Sequence, residues 1–269
     1  MKLKNFMNTA FAGLLVCALW SCDTIKEEDR LVYVKPAEVN RSVLIEDFTG
    51  QRCVNCPVAT EEIEKLQEQY GDAIIAVGIH SGPFGHRSTM TSARLPLCTE
   101  TGDEYYTHWG IEYQPGVKIN RGAPIYNTAE YGSVVREALQ KTTPLAMELE
   151  ADYDAATRTI DISISATTSE DVSGKLQVWV IENNIVAQQN MPDGSTNSEY
   201  LHQHVFRTSV TSDIYGDDFS VTDETPATAA YKVTLDETWK PEDVAIVAFV
   251  SNAANGVLQV VKKGLAMNE

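Results

Sequence analysis

Basic side chains and cysteines are scarce in this chain. Twenty-one lysines and arginines face 38 aspartates and glutamates, a formal charge of −17, so nucleic acid is a poor partner. Five cysteines in 269 residues are too few for a disulfide scaffold, and a chain this long buries ordinary hydrophobic cores. No apolar run is long enough to span a bilayer as a helix. No Gly-rich phosphate loop follows a strand and no Gly-x-Ser-x-Gly elbow occurs, so kinase and hydrolase readings are set aside. Internal repeats and low-complexity tracts are absent too, and no cofactor is called for.

Lys2 and Lys4 precede an apolar stretch, Phe11 to Trp20, the pattern of a secretory signal. It closes on Leu19-Trp20-Ser21-Cys22, which resembles a lipobox. Residues 1–21 are therefore expected to be removed and Cys22 to carry the lipid; the other reading is an ordinary signal with a chance cysteine. A diacylglyceryl thioether plus an N-acyl chain buries enough CH₂ groups, each contributing about 0.8 kcal/mol, for a stable anchor. The membrane is thus a partner through the lipid. Residues 22–40, charged from Asp23 to Arg30, read as a flexible tether, and their acids resemble the export signals of Bacteroidota surface lipoproteins. With Cys17 removed and Cys22 acylated, Cys53, Cys56 and Cys98 remain for chemistry in a compartment that permits disulfides.

Residues 41–143 alternate buried strands with helical patterns. Val43-Leu44-Ile45 is a strand, Ala59 to Tyr70 carries Ile63, Leu66 and Tyr70 at helical spacing, and Ala73 to Ile79 is a second strand. This is a β-α-β unit with a parallel pair. Residues 82–97 read as an insertion, Cys98 to Trp109 as helical, Val117-Lys118-Ile119 as extended and Tyr131 to Gln140 as helical. From Pro144 the period becomes two. Ala146 to Glu150 and Ile160 to Ile164 read as a hairpin about Asp154-Ala155-Ala156-Thr157. Further strands are expected at Leu176 to Ile181, His202 to Ser209, Tyr231 to Leu235, Val244 to Val250 and Val257 to Val261, with turns such as Pro192-Asp193-Gly194 between them. The expected fold is α/β plus all-β, with an antiparallel β-sandwich, Ig-like or jelly-roll-like, over residues 144–269. That half holds 20 acids and 7 bases against 13 and 9 in residues 41–142, which suits solubility outside a cell.

The chemistry-bearing stretch is Thr49-Gly50-Gln51-Arg52-Cys53-Val54-Asn55-Cys56-Pro57. A thiolate at the first turn of a helix is favoured by the helix dipole. Cys53 is expected there, with Arg52 adding a cation that lowers its pKa. Cys56, one turn on, is placed to attack a mixed disulfide at Cys53. Asp47 lies six residues before Cys53, followed by Phe48, and here the stretch resembles thioredoxin. The resemblance implies that Asp47 accepts the proton of Cys56, and that Pro115, opening Tyr113-Gln114-Pro115-Gly116-Val117-Lys118-Ile119-Asn120, is a cis proline that docks an extended peptide. The open alternatives are that Asp47 caps or packs polar at the strand end while Glu46 faces inward, and that Pro115 is an ordinary trans proline at a strand start. This chain departs from thioredoxin in having Arg52 where a tryptophan is usual, Val54-Asn55 between the cysteines, and about thirty residues between Ile79 and Gln114.

With the lipobox and Tyr200-Leu201-His202-Gln203-His204-Val205-Phe206-Arg207, the whole arrangement is similar to the Bacteroidota lipoproteins named for a twenty-eight-kilodalton outer-membrane protein. The resemblance implies a thioredoxin-like domain at 41–143 and a lipid-anchored place at the outer membrane, periplasm-facing or on the cell surface. Two functions stay open: a thiol–disulfide oxidoreductase acting on a protein or peptide thiol or disulfide, and a non-catalytic binding or assembly lipoprotein with a structural Cys53–Cys56 disulfide and a lipoprotein or glycan partner. Metal readings rank lower. Cys53, Cys56, Cys98 and His80 or His86 offer zinc donors, His202 and His204 share a strand face, and Glu199 with Asp193 to Asn197 offers calcium oxygens without the EF-hand glycine. The bland readings are a hydrogen-bonded loop residue for His80, packed strand histidines for His202 and His204, and a buried small hydrophobe for Cys98.

Overall fold

The computed structural model describes residues 37–87, 95–212 and 214–267. The expected signal 1–21, Cys22 and most of the tether 22–40 lie outside the described residues. The chain runs β1 (Val39–Asn40), β2 (Val43–Thr49), α1 (Cys56–Tyr70), β3 (Ile74–His80), α2 (Glu100–His108), β4 (Gly116–Ile119), α3 (Tyr131–Leu139), β5 (Thr142–Thr143), β6 (Leu145–Asp154), β7 (Thr159–Thr168), β8 (Val172–Glu182), β9 (Ile185–Asn190), β10 (Thr196–His202), β11 (Val205–Ser209), β12 (Asp217–Val221), β13 (Ala227–Thr234), β14 (Val244–Asn252), β15 (Gly256–Gly264) and β16 (Ala266–Met267). The fold is mostly β, with mixed and antiparallel sheets.

The boundary expected at 143/144 does not separate two sheets. One sheet runs β15-β14-β8-β11-β3-β2-β4, with β12 also on β8, and so draws strands from both halves. The join is a parallel pairing of β11 with β3 at Val205 and Gly78, beside a bond from the Gly78 N–H to the His204 carbonyl of 2.9 Å. An open edge on either half would leave a row of backbone groups unpaired, and this pairing brings the two edges together at that one point. A second sheet, β13-β7-β6-β16, packs on one face of the first. The sheet that faces it continues through β11 into β3, β2 and β4 of the first half.

Burial explains the strand sequences. In β6, Leu145, Met147, Leu149, Ala151 and Tyr153 point inward and alternate with exposed or half-buried neighbours, as a strand with one wet face requires. In β14 every residue from Val244 to Ser251 is buried. Val244, Ile246, Ala248 and Val250 face the second sheet, while Ala245, Val247 and Phe249 face a core under α2. That core centres on Trp179, against which Phe249, Tyr105 and Phe206 pack at 4.7, 5.3 and 5.3 Å. The Tyr105 hydroxyl of α2 accepts from Trp179 Nε1 at 3.1 Å and Gln177 Nε2 at 2.8 Å, so the aromatic plug carries no unpaired polar tip.

β2 is buried on both faces. Val43 and Ile45 meet α1 and α3, whereas Leu44 and Phe48 meet the α2 core. Parallel register pairs Asp47 with Gly78 and Thr49 with His80, so period two sets Asp47, Thr49, Gly78 and His80 on the α1 face.

Candidate functional site

Cys53 and Cys56 are joined in a disulfide. The helix begins later than its spacing suggests. α1 starts at Cys56, its N-cap is Asn55 and Pro57 lies in its first turn, while Cys53 sits in the preceding turn with its N–H on the Gly50 carbonyl at 2.9 Å. The first-turn position expected for Cys53 belongs to Cys56. Both are buried, Cys53 3% and Cys56 1% exposed.

Three glutamines hold the backbone around the pair. Gln189 of β9 donates from Nε2 to the carbonyls of Cys53 at 2.9 Å and Asn190 at 3.1 Å. Gln51 donates to the carbonyls of Leu95 and Gln188 at 3.0 and 3.1 Å. Gln114 donates to those of Thr49 and Ser81 at 2.6 and 2.9 Å and accepts from the Phe84 N–H at 3.2 Å. Asn190 adds a bond from its N–H to the Gln51 carbonyl at 2.9 Å. The β9–β10 hairpin is thereby fastened over the disulfide turn.

Arg52 lies beside Cys53 in sequence, but its guanidinium donates to the carbonyls of Pro83 and Gly85 at 2.7 and 2.9 Å. It ties the disulfide turn to the 82–87 loop. The Gln114–Pro115 peptide bond is cis. Pro115 lines a groove of about 380 Å³ with Asn55, Val58, Tyr113 and Tyr126, and Val54, Val58, Phe84 and Tyr113 are exposed.

Asp47 lies on β2, the strand that leads into the disulfide turn. It is 2% exposed and lines a cavity of about 20 Å³ together with Cys56, His80, Tyr200, His202 and His204. Burial pushes its carboxyl up to about 7, because desolvation penalises the charged form. Glu46 is also fully buried, on the opposite face of β2, where it pairs with Arg121 at 3.5 Å. Both acids are interior, so neither caps the strand end.

His80 ends β3 and is 4% exposed, with Nδ1 unpartnered; it is a strand residue where a hydrogen-bonded loop residue was expected. His202 and His204 are not on one strand. β10 ends at His202, and His204 takes a positive φ of 43° before β11 starts. That break interrupts the i, i+2 alternation, yet both residues line the same cavity. The His80 and His202 rings meet edge to face with centroids 5.1 Å apart. Burial holds His80 well below the usual imidazole range and takes His202 and His204 down to about 4.

The disulfide removes the Cys53 and Cys56 thiolates from a zinc set, and among the described residues no three His, Cys, Asp or Glu are grouped to hold an ion. In the 193–199 loop Asp193 and Asn197 accept from the N–H groups of Ser195 and Glu199, each at 2.9 Å, so their oxygens close local turns. Cys98 is a free, partly buried thiol that precedes α2, whose N-cap is Thr99; burial raises it to about 11.

Gln51, Gln114, Gln189 and Tyr200 did not stand out in the sequence. A signal existed for Gln189: in Ile185-Val186-Ala187-Gln188-Gln189 it shares period-two phase with Ile185 and Ala187, which are buried.

Residues 102–269 match the family described as outer membrane protein Omp28, and the chain belongs to that family. Among the described residues no helix is long and apolar enough to cross a membrane. No curated protein matches the sequence. HBP35 of Porphyromonas gingivalis is similar in structure, with a TM-score of 0.63 and 18% identity over 87% of this chain and 80% of that one. Protein AGR_C_4864 from Agrobacterium tumefaciens aligns with a TM-score of 0.50 and 16% identity, over 87% and 97%. A domain of the outer membrane lipoprotein Omp28 from Porphyromonas gingivalis aligns over 47% of this chain and 92% of that one, with 18% identity and a TM-score of 0.34. At such identities likeness speaks to fold alone.

Proposed function

We propose that this member of the Omp28 family of outer membrane proteins is a thiol–disulfide exchange protein, anchored by a lipid on Cys22, with residues 41–143 forming a thioredoxin-like unit. The observation that carries the reading is the small cavity lined by both Asp47 and Cys56, which sets a buried carboxyl pushed up to about 7 and one cysteine of a Cys-x-x-Cys disulfide around the same space. An acid with that pKa both holds and gives up a proton near neutrality.

The substrate is a protein or peptide dithiol. Its thiolate attacks the sulfur of Cys53, forming a mixed disulfide and expelling Cys56 as thiolate, which takes the Asp47 proton. The substrate's second thiol, on losing its proton, attacks its own mixed-disulfide sulfur and expels Cys53. The substrate leaves as a disulfide and the protein as a dithiol. In the reverse direction Asp47 as carboxylate accepts the proton of Cys56. The groove at Pro115, with exposed Val58 and Tyr113 on its walls, suits an extended apolar segment. Attack requires the cover on Cys53 to open.

The burial of both cysteines favours a second reading, in which the disulfide is a staple and the protein binds a neighbouring lipoprotein or a glycan. Redox titration separates the two. A potential well below about −300 mV marks a staple, whereas the exchange reading expects a higher potential and mixed disulfides trapped by Cys56→Ser. A Cys53–Cys56 bond that persists under strong reductant would sink it.

A further inference from the structure

Three side-chain atoms of residues that line the cavity with Cys56 lack a hydrogen-bond partner among the described residues: Asp47 Oδ1, His80 Nδ1 and His202 Nε2. Their residues are 2%, 4% and 5% exposed, and buried polar atoms without partners call for an explanation. The atoms come from three strands. Asp47 and His80 share the α1 face of β2 and β3, and His202 arrives on β10 from the other half of the chain. A polar cavity of about 20 Å³ has room for one water and supplies the two to four partners that a buried water needs.

Hydrogen-bond arithmetic fixes how such a water sits. Among the described residues the unpartnered ring atoms are Nε2 of His202 and Nδ1 of His80, and in the neutral tautomers that carry the proton on the opposite ring nitrogen both are lone pairs. A water that donates one hydrogen to His202 Nε2 and one to His80 Nδ1 has none left for a carboxylate. Its lone pair then accepts from Asp47 only if Asp47 carries the proton.

We propose that His80 and His202 are positioning residues: through one buried water they hold Asp47 as the neutral acid beside Cys56. The proton on Asp47 is then the one handed to Cys56 when its thiolate is expelled; Cys56–S⁻ and Asp47–COOH become Cys56–SH and Asp47–COO⁻. This role rests on the exchange reading, whereas the water site does not. The low proton affinity of both buried histidines supports it, since each stays neutral and keeps its lone pair near neutrality. The other titratable and charged groups around the cluster are His204 and Arg207, which act on His80, Tyr131, which feels Asp47, and Tyr200, which feels Asp47, Glu61 and Glu64.

The test follows the Asp47 carboxyl in the oxidised full chain by ¹³C NMR or by its infrared carbonyl band, identified by its loss in Asp47→Asn. Removing one acceptor frees a water hydrogen for the carboxylate, so His202→Phe and His80→Phe each lower the Asp47 midpoint by about one pH unit, tenfold in protonation. His202→Gln, which retains an acceptor, restores it. Burial alone predicts the opposite sign, so a midpoint that stays or rises in the Phe variants overturns the proposal. Should the variants not fold, ¹⁵N shifts of the wild-type imidazoles decide, because a proton on His202 Nε2 or His80 Nδ1 at pH 7 overturns it equally. If the midpoints fall but Cys56→Ser traps nothing, the exchange reading fails and the water site stands. If mixed disulfides are trapped and the midpoints do not fall, this inference fails alone.

Discussion

Gln189 Nε2 donates to the carbonyl oxygen of Cys53 at 2.9 Å across 136 residues of chain. The same amide reaches the carbonyls of Asn190 and Gly50, so one side chain fastens the β9–β10 hairpin to the disulfide turn. Gln189→Leu keeps the size and removes the donor. Leaving buried acceptors unpaired costs about 1–3 kcal/mol, to be read by chemical denaturation of the oxidised protein. The cover over Cys53 loosens with it, so reduction by a small thiol accelerates. An unchanged reduction rate would show that the hairpin does not control access.

Stability against pH follows from the same cavity, with two opposite slopes. His202 and His204 titrate at about 4 in the folded protein and near 6.5 unfolded, so the unfolded state binds more protons between those values and stability rises with pH there. Asp47 runs the other way. Its folded value of about 7 stands above the unfolded 3.8, so its contribution falls as pH climbs from 3.8 to 7. Asp47→Asn removes the falling term. The variant is expected to show a steeper rise between pH 4 and 6.5 and to exceed the wild type at pH 8 by on the order of 4 kcal/mol. Denaturant titrations across pH 4–8 measure this, and a variant less stable at pH 8 would contradict a buried charge at Asp47.

The legible part of the site is the part that is local in sequence. Asp47, Cys53 and Cys56 follow one another along strand, turn and helix, so spacing alone brings them together. Gln189 and His202 reach the same place through pairings more than a hundred residues away, which no local pattern encodes. The change of period near Pro144 reads as a domain boundary because periodicity reports which faces of a strand are wet, and not which strands pair. A hint lay in Val244-Ala245-Ile246-Val247-Ala248-Phe249-Val250 and in Val178-Trp179-Val180-Ile181. Neither alternates, and a strand of a simple two-layer sandwich has no need of apolar residues on both faces. Here the second face is covered by α2 and its aromatic core.

Gly85 and Cys98 fit each other closely. A Cβ on Gly85 would overlap Cys98 Sγ and lie 3.0 Å from the Ser81 carbonyl oxygen, so Gly85→Ala forces the 82–87 loop outward. Overpacking of this kind costs about 1–3 kcal/mol. Cys98→Ala in the same chain removes the nearer clash and should recover most of the loss, giving a favourable coupling in a double-mutant cycle. Since Arg52 bonds to the Gly85 carbonyl, the single variant should also speed reduction of the disulfide. Additive losses in the cycle would place the strain elsewhere.

The last prediction concerns the acid on the other face of β2. Glu46 is fully buried and pairs with Arg121 at 3.5 Å, with Lys118 as a second nearby cation. Arg121 also lies over Phe249 and Trp109 at 4.7 and 5.0 Å, donates to Ser251 Oγ at 3.1 Å and reaches Gln177. Burial raises Glu46 while Arg121 and Lys118 pull it down. Arg121→Met keeps much of the stem packing and leaves the carboxylate with a weaker counter-charge, a loss of about 3–5 kcal/mol. The loss must depend on pH. Without Arg121 the folded pKa of Glu46 climbs further above its unfolded value, so the folded state holds a proton that the unfolded state has released, and stability drops as pH rises through that interval. Arg121→Met should therefore be closer to wild type at pH 4.5 than at pH 8, and adding Glu46→Gln should abolish that difference. Equal losses at the two pH values would mean that Arg121 acts through its stacking on the aromatic core and not through its charge.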